Sequence, residues 1–332
     1  MVKEKNKKII IIGANSFSAG SLIYHLLSKK YIIFGISRSK INKKCFLRFN
    51  PRNENFSFKK LDLNKDHNKI VNLIKKIKPG HIVNFASQSM VGQSWNNSID
   101  WFYTNSFSTI KLYDSISKFN FNTKLIHIST PEIYGNIKKT TIENFNYNPT
   151  TPYAVSRVTA DHFLRVLHER KKISYCSIRS SNVYGEHQRL YRIIPKTIYS
   201  ILKRKRMKLD GGGISKRNFI HIDDVSKATY KILKQGINGE IYHIAGKEII
   251  SIRNLVKMIC KKMNYNFDKL VTYSPERLGK DKSYILSSKK IKSNFNWQTK
   301  ISINDGIDRC INWVKKNLNF FSKLDEVYNH KK

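Results

Sequence analysis

KIIIIGANSFSAGSLIYHLLSKKYIIFGISR, residues 8–38, reads as strand, tight loop, helix and second strand. The four isoleucines at 9–12 are the β-branched run that a parallel strand buried on both faces requires. Residues 13–20 are small or polar, and residues 21–29 carry Leu22, Ile23, Leu26 and Leu27 at helical spacing. Residues 31–36, YIIFGI, make the next strand. This is one βαβ unit, whose crossover is right-handed.

The alternation continues outward from that unit. Residues 56–63 read as a strand running into Asp62, and 66–78 as a helix. After the Pro79-Gly80 break, 81–85 is a strand and 99–119 a helix. Residues 124–129 are strand-like, and 152–169 form a long helix with proline in its first turn. Residues 173–179 give a further strand. The expected fold is α/β, a Rossmann-type doubly wound parallel sheet. Beyond Gly185 the pattern loosens into short helices, a Gly211-Gly212-Gly213 turn and short strands at 219–222 and 240–244. That reads as a smaller C-terminal α/β lobe that grips a substrate. The expected division is 1–184 for an NAD(P)-binding domain, 185–320 mainly for the substrate lobe, interleaved with the first domain, and 321–332 for a polar tail.

Composition narrows the class. A chain of 332 residues holds one large domain or two modest ones. Its 40% hydrophobic and 12% aromatic content excludes a wholly disordered or collagen-like chain. The four cysteines, Cys45, Cys176, Cys260 and Cys310, lie far apart without a C-x-x-C pair. That argues against a zinc module or disulfide framework and fits a reducing cytoplasm. The apolar run before Gly13 is too short for a signal peptide or anchor, and no stretch reaches about 18 apolar residues, so a soluble chain is expected. The formal net charge is +39. Such a surface attracts polyanions or any anionic substrate. The basic residues are nevertheless spread from Lys3 to Lys332, as in a chain simply rich in Lys, Asn and Ile.

The loop GANSFSAG at 13–20 sits at the first βα junction. There, backbone N–H groups and a helix N-terminus can approach a pyrophosphate. Gly13, Ser16 and Ala19 hold the G-x-x-G-x-x-G spacing with two glycines replaced. Gly13, Asn15, Ser16 and Phe17 are therefore candidate cofactor contacts. The second strand ends in Ser37-Arg38 where an acidic residue would hold the ribose 2′-hydroxyl of NAD. Serine beside arginine accommodates a 2′-phosphate, so NADP is favoured over NAD. Asp62 and Leu63, after the third strand, are placed to meet the adenine amino group.

Further motifs follow in order: NFASQSMV (84–91), STPEIYG (129–135), PYAVSR (152–157), RSSNVYG (179–185), RNFIHIDD (217–224) and RLGKD (277–281). With these the chain resembles the extended short-chain dehydrogenases of the NAD-dependent epimerase/dehydratase family, over residues from about 8 to 315. Within it the resemblance is greatest to nucleotide-sugar 4,6-dehydratases of the dTDP-glucose and GDP-mannose types. The resemblance implies an internal hydride transfer from sugar carbon 4, loss of water across carbons 5 and 6, and return of the hydride to carbon 6. It implies Tyr153 as base for the 4-hydroxyl, Thr130 as its hydrogen-bonding partner and Glu132 as base at carbon 5. It adds Phe85 and Ala86 to the cofactor contacts. Gln88, Ser89, Asn182, Arg217, Arg277 and Asp281 take substrate-binding positions.

Two departures from the family pattern stand out. Arg157 replaces the lysine one helical turn beyond the tyrosine, keeping the charge in a bulkier, planar group. Pro131 stands where many dehydratases carry an aspartate. An epimerase, reductase or decarboxylase on the same fold is the alternative within enzymes. A catalytically silent nucleotide- or RNA-binding protein is the alternative of another class. The resemblance also implies a homodimer or tetramer built on helices 99–119 and 152–169.

Overall fold

A computed structural model describes residues 7–137, 139–276, 283–324, 328 and 330. The chain runs β1 (Lys8–Ile12), α1 (Phe17–Leu27), β2 (Ile32–Ser37), β3 (Phe56–Lys60), α2 (His67–Ile77), β4 (His81–Asn84), α3 (Ser98–Trp101), α4 (Thr109–Ser117), β5 (Lys124–Ile128), β6 (Thr140–Thr141), α5 (Pro152–Glu169) and β7 (Ser174–Ser180). It continues β8 (Asn182–Tyr184), α6 (Ile193–Leu202), β9 (Met207–Asp210), β10 (Lys216–His221), α7 (Ile222–Gln235), β11 (Ile241–Ile244), β12 (Ile249–Ser251) and α8 (Ile252–Lys262). The last elements are α9 (Phe267–Leu270), β13 (Val271–Ser274), β14 (Ser283–Leu286), α10 (Lys289–Phe295), α11 (Ile303–Lys316) and α12 (Leu318–Phe321).

Seven strands form a parallel sheet in the order β11-β7-β5-β4-β1-β2-β3. The order reverses between β1 and β4, and the carboxyl ends of those strands open the crevice where doubly wound sheets bind ligands. The all-isoleucine strand β1 is explained by burial on both faces. Ile9 and Ile11 pack with Leu22 and Ile23 of α1 and Ile232 of α7. Ile10 and Ile12 pack with Ile70 of α2, Leu112 of α4 and Leu164 of α5. Full burial of each such side chain contributes at most about 1.5–3 kcal/mol.

The strand at 240–244, read from sequence as part of the smaller lobe, joins the main sheet. β11 pairs in parallel with β7, Ile241 opposite Ser177 and Ile244 opposite Ser180. All four of its residues are buried. A strand without an exposed face needs cover on both sides, which the central sheet supplies. The other strands beyond β7, joined by the earlier β6, build a second sheet, β12-β10-β14-β6, with β8 paired to β10, and a two-stranded ribbon of β9 and β13. A separate core under that lobe gathers Ile194, Ile198, Leu255, Ile259, Ile307 and Val314 from α6, α8 and α11.

Two helices depart from their sequence reading. α1 begins at Phe17, not residue 21, because Ser16 caps it, its hydroxyl accepting from the Ala19 N–H at 3.2 Å. The helix expected at 99–119 is interrupted by a π-helical stretch, Phe102–Ser108. Within that stretch Asn105 is fully buried. Its amide accepts from Gln88 N at 2.8 Å, donates to Gln88 O at 3.0 Å and to Ser156 Oγ at 3.0 Å. One side chain thus ties the loop after β4 to α5, and π-bulges of this kind recur at functional sites.

Candidate active site

One cleft of about 750 Å³ lies over the carboxyl ends of the parallel strands. Its floor begins at Gly13, whose φ is +81°. A Cβ there would lie 2.6 Å from Ala86 N and 2.8 Å from the Phe85 carbonyl carbon. Only glycine lets β1 turn this close to the end of β4, so the N-terminus of α1 opens directly onto the cleft. Gly13 and Ala14 donate to Ile36 O at 2.8 and 3.0 Å, which binds the turn to β2.

Asn15 lines the cleft and is held by hydrogen bonds to the segment after β2. Its amide donates to Ser39 O (3.2 Å) and Lys40 O (2.8 Å) and accepts from Asn42 N (3.2 Å). It staples the phosphate loop to the segment leaving β2, where Ser37 and Arg38 line the cleft. The turn at Asp62 is held by its own side chain, which accepts from Asn64 N at 2.8 Å. Asp62 and Leu63 line the same end of the cleft. The cradle fits a dinucleotide: a glycine-forced close approach, a helix N-terminus and an exit from β2 without a carboxylate. Residues 13, 16 and 17, with 85 and 86 opposite, would hold its pyrophosphate.

The chemical residues gather at the other end. Thr130 caps a short helical turn, Pro131–Tyr134, in which Pro131 takes the first position. Proline is tolerated there because that N–H has no helical partner. Thr130 donates its hydroxyl to the Glu132 carboxylate. Tyr153 sits in the first turn of α5, behind the Thr151 cap, with the Thr130 side chain beside its phenol. Burial, then the Glu132 carboxylate, raise the Tyr153 phenol above its ordinary range, against the pull of Arg157, Thr130 and Arg192. Arg157 lies one turn further along α5, 2% exposed, and donates to Ile128 O. Its Nε has no hydrogen-bond partner among the described residues.

Two residues complete this end that sequence reasoning did not single out. Tyr284 of β14 donates to Glu132 Oε1 at 3.2 Å and lies 3.0 Å from the Asn182 amide. Arg192, at the cap of α6, lines the cleft and acts electrostatically on Tyr153. Neither carries a local signal, because each meets its partner across a long sequence separation. Gln88, Ser89 and Asn182 line the cleft as expected from their positions. Arg217 does not. It is 6% exposed, donates to Lys216 O at 2.8 Å and stacks 4.2 Å from the centre of the Tyr284 ring. It supports Tyr284 from behind. Arg277 and Asp281 lie outside the described residues.

Comparison with known proteins agrees with this geometry. Residues 10–310 match the family described as GDP-mannose 4,6 dehydratase. The chain is 29% identical to dTDP-D-glucose 4,6-dehydratase of Mus musculus, over 97% of this chain and 92% of that one. It is 26% identical to dTDP-glucose 4,6-dehydratase of Haemophilus influenzae, over 92% and 97%. Among solved structures, DesIV, a dTDP-glucose 4,6-dehydratase from Streptomyces venezuelae with NAD bound, superposes with a TM-score of 0.88 at 24% identity, covering 94% of this chain and 98% of that one. A UDP-glucuronic acid 4-epimerase from Bacillus cereus with NAD bound gives a TM-score of 0.85 at 25% identity, over 93% and 99%. With a match that spans nearly its whole length, the chain belongs to the GDP-mannose 4,6 dehydratase family.

Proposed function

We propose that the protein is a nucleotide-sugar 4,6-dehydratase, an NAD(P)-dependent hydro-lyase. The observation that carries this reading is Glu132, a carboxylate held by Thr130 and Tyr284 on the same side of the cleft as Tyr153. An enzyme that only oxidises and re-reduces carbon 4 has no use for a second base there.

Tyr153 takes the proton of the sugar 4-hydroxyl, with the Thr130 hydroxyl orienting the pair. A nicotinamide held in the cleft would supply the acceptor for the hydride of carbon 4 and its donor back to carbon 6, a return completed when carbon 5 regains a proton from Tyr153 or solvent through Glu132. Once carbon 4 is a ketone, the proton on carbon 5 is acidic, and Glu132 removes it. The carbon 5–carbon 6 double bond forms as the 6-hydroxyl leaves. Protonated Glu132 then supplies the proton that lets this hydroxyl depart as water. Pro131 cannot donate a proton, so the acid and base roles fall on one carboxyl. Arg157 supplies the positive charge that favours tyrosinate.

The finer assignments rest on particular residues. Ser37 and Arg38 support a preference for NADP, since no carboxylate ends β2 to receive a free ribose 2′-hydroxyl. A homodimer is supported by exposed apolar residues on the helix pair, Ile99, Tyr103, Phe107 and Val155. A cytoplasmic setting is consistent with four free cysteines, three of them buried. No helix among the described residues is long and apolar enough to cross a membrane.

Incubating the purified protein with dTDP-glucose, GDP-mannose, CDP-glucose, UDP-glucose and UDP-N-acetylglucosamine, each with catalytic NADP or NAD, tests the reading. One member should lose one water, seen by mass spectrometry, without net reduction of cofactor. Epimerisation or net reduction would select the alternatives on the same fold, and no change in any member would leave a binding protein.

A further inference from the structure

α5 presents Tyr153, Arg157 and Asp161 at successive four-residue intervals, one stripe on its inner face, and all three are buried. The stripe meets three consecutive residues as the chain leaves β5. Arg157 donates to Ile128 O. Ser129 Oγ donates to Asp161 Oδ2. The Thr130 side chain stands beside the Tyr153 phenol. Residues 128, 129 and 130 thus each face one member of the stripe.

Two of these rungs belong to groups that line the cleft. The third does not, because Asp161 lies beneath it. Its other oxygen receives Arg179 Nη2 at 3.0 Å, and His127 Nε2 lies 3.8 Å from Oδ2. Arg179 is itself fully buried and donates to the Tyr134 and Tyr147 hydroxyls. A buried ion pair is often no more stabilising than apolar side chains of equal volume. Packing α5 on the sheet therefore does not by itself call for one, whereas fixing a single register does.

We propose that Asp161 is a positioning residue for the reaction. Through Ser129 it locks residues 128–130 against α5, so that Thr130 and Tyr153 stand in reacting geometry. Arg179 cancels its charge, which leaves the field at Tyr153 to the groups that face it. These are Glu132 from the turn after β5, Arg157 from its own helix and Arg192 from α6, beside the Thr130 hydroxyl.

Only the kinetic arm of this proposal rests on the dehydratase reading. Ser129→Ala in the holoenzyme removes the rung from the strand side and leaves Asp161 paired with Arg179. On the sugar nucleotide turned over by the wild type, kcat should fall about tenfold or more with KM and Tm little changed, because a displacement near 1 Å costs as much as about a hundredfold. An ultraviolet difference titration, each background against its own Tyr153→Phe partner, should show Tyr153 ionising at higher pH when the rung is lost. Ser129→Thr, which keeps the hydroxyl, should restore both readouts. Wild-type kcat and Tyr153 titration in Ser129→Ala overturn the proposal, as does a fall in Tm with neither readout moved. If no sugar nucleotide is turned over, the dehydratase reading fails and the titration still decides the role of Asp161.

Discussion

Tyr284 on β14 donates a hydrogen bond to Glu132 Oε1, 3.2 Å away, across the seam between the Rossmann sheet and the second lobe. Burial and the Glu132 carboxylate both drive the Tyr284 phenol far above its ordinary range, so it remains a donor at any working pH. On the proposed mechanism, the second lobe would thereby orient the base at carbon 5.

Removing that bond should slow elimination without weakening cofactor binding. A hydrogen bond to a charged group contributes about 1.5–3 kcal/mol, and each 1.4 kcal/mol is about tenfold in rate. Tyr284→Phe should lower kcat about tenfold or more in the water-loss assay. Glu132→Gln should lower it by about 10²–10⁴, the range for a general base. In a single turnover the latter variant should accumulate the 4-keto sugar that still carries its 6-hydroxyl. Equal loss of that ketone and of final product would show that Glu132 acts before carbon 5.

Arg157 supplies charge beside Tyr153 from a guanidinium that also donates to Ile128 O. Arg157→Met removes both. With less opposing charge, the raised Tyr153 phenol ionises at still higher pH, so the rise of kcat with pH should move to the alkaline side. The rate at neutral pH should fall by about 10²-fold or more. Arg157→Lys keeps a cation but gives up the planar fork. It should stay within about tenfold of the wild type. A pH–rate profile of Arg157→Met that coincides with the wild-type profile would sink the assigned role.

The buried polar chain under the site makes stability sensitive to acid. Burial, reinforced by Arg179, lowers His243 to about 3, and burial also lowers His127. In the unfolded chain both histidines take up a proton near pH 6.5, whereas the folded protein refuses it. Their contribution is therefore complete above about pH 6.5 and is lost as pH falls toward 3. Asp161 resists burial through Arg179, His127 and Ser129 and is held well below the usual carboxylate range, so its contribution is lost at still lower pH. Denaturant unfolding at pH 7.5 and 5.5 should differ by about 1–3 kcal/mol, and His243→Gln should reduce that difference.

The two halves of the molecule were not equally legible in the sequence. Runs such as 9–12 and 81–85 announce buried parallel strands, because burial on both faces leaves no polar alternation to confuse the pattern. The residues at 130, 132, 153 and 157 were singled out only through the resemblance carried by the motifs around them, since nothing local to a threonine, a glutamate or a tyrosine announces chemistry. β11 hid its place because a strand of only four residues, IYHI, looks the same in any sheet. Tyr284, Asn105 and Arg192 hid theirs because each reaches its partner through tertiary contact, which no periodicity records. The contact of the Arg217 guanidinium with the Tyr284 ring, 4.2 Å from its centre, is likewise tertiary and left no trace in the sequence pattern.

Cofactor choice tests the exit of β2. Introducing the missing carboxylate with Ser37→Asp places a negative charge where a 2′-phosphate would sit and offers an acceptor to a free 2′-hydroxyl. It should weaken NADP binding and strengthen NAD binding, reversing the ratio of their dissociation constants by about 10²-fold. Arg38→Ala should weaken NADP by about tenfold and leave NAD nearly unchanged, the worth of one charge-assisted phosphate contact. Equal effects on both cofactors would mean that Arg38 serves the fold of the loop alone.

The proposed homodimer would cover the exposed apolar surface of the helix pair. Ile99 is 76% exposed, Phe107 57% and Tyr103 46%, at four-residue intervals along one face. The Tyr103 and Phe107 rings lie 5.4 Å apart, and Val155 of α5 is 40% exposed. The two helices are already joined beneath by Ser106 Oγ, which donates to Ser156 O at 2.9 Å. A twofold axis through this stripe would bury it against its own copy, the self-complementary arrangement of an isologous dimer. Light scattering should therefore give twice 38.8 kDa for the wild type. Phe107→Glu places like charges opposite one another across the axis and should yield a monomer whose Tm is lowered. The same helices carry Asn105, which holds the Gln88 loop, and Tyr153. Dissociation should accordingly raise KM for the sugar nucleotide as well as change the mass. A Phe107→Glu protein that remains dimeric would move the interface to another face.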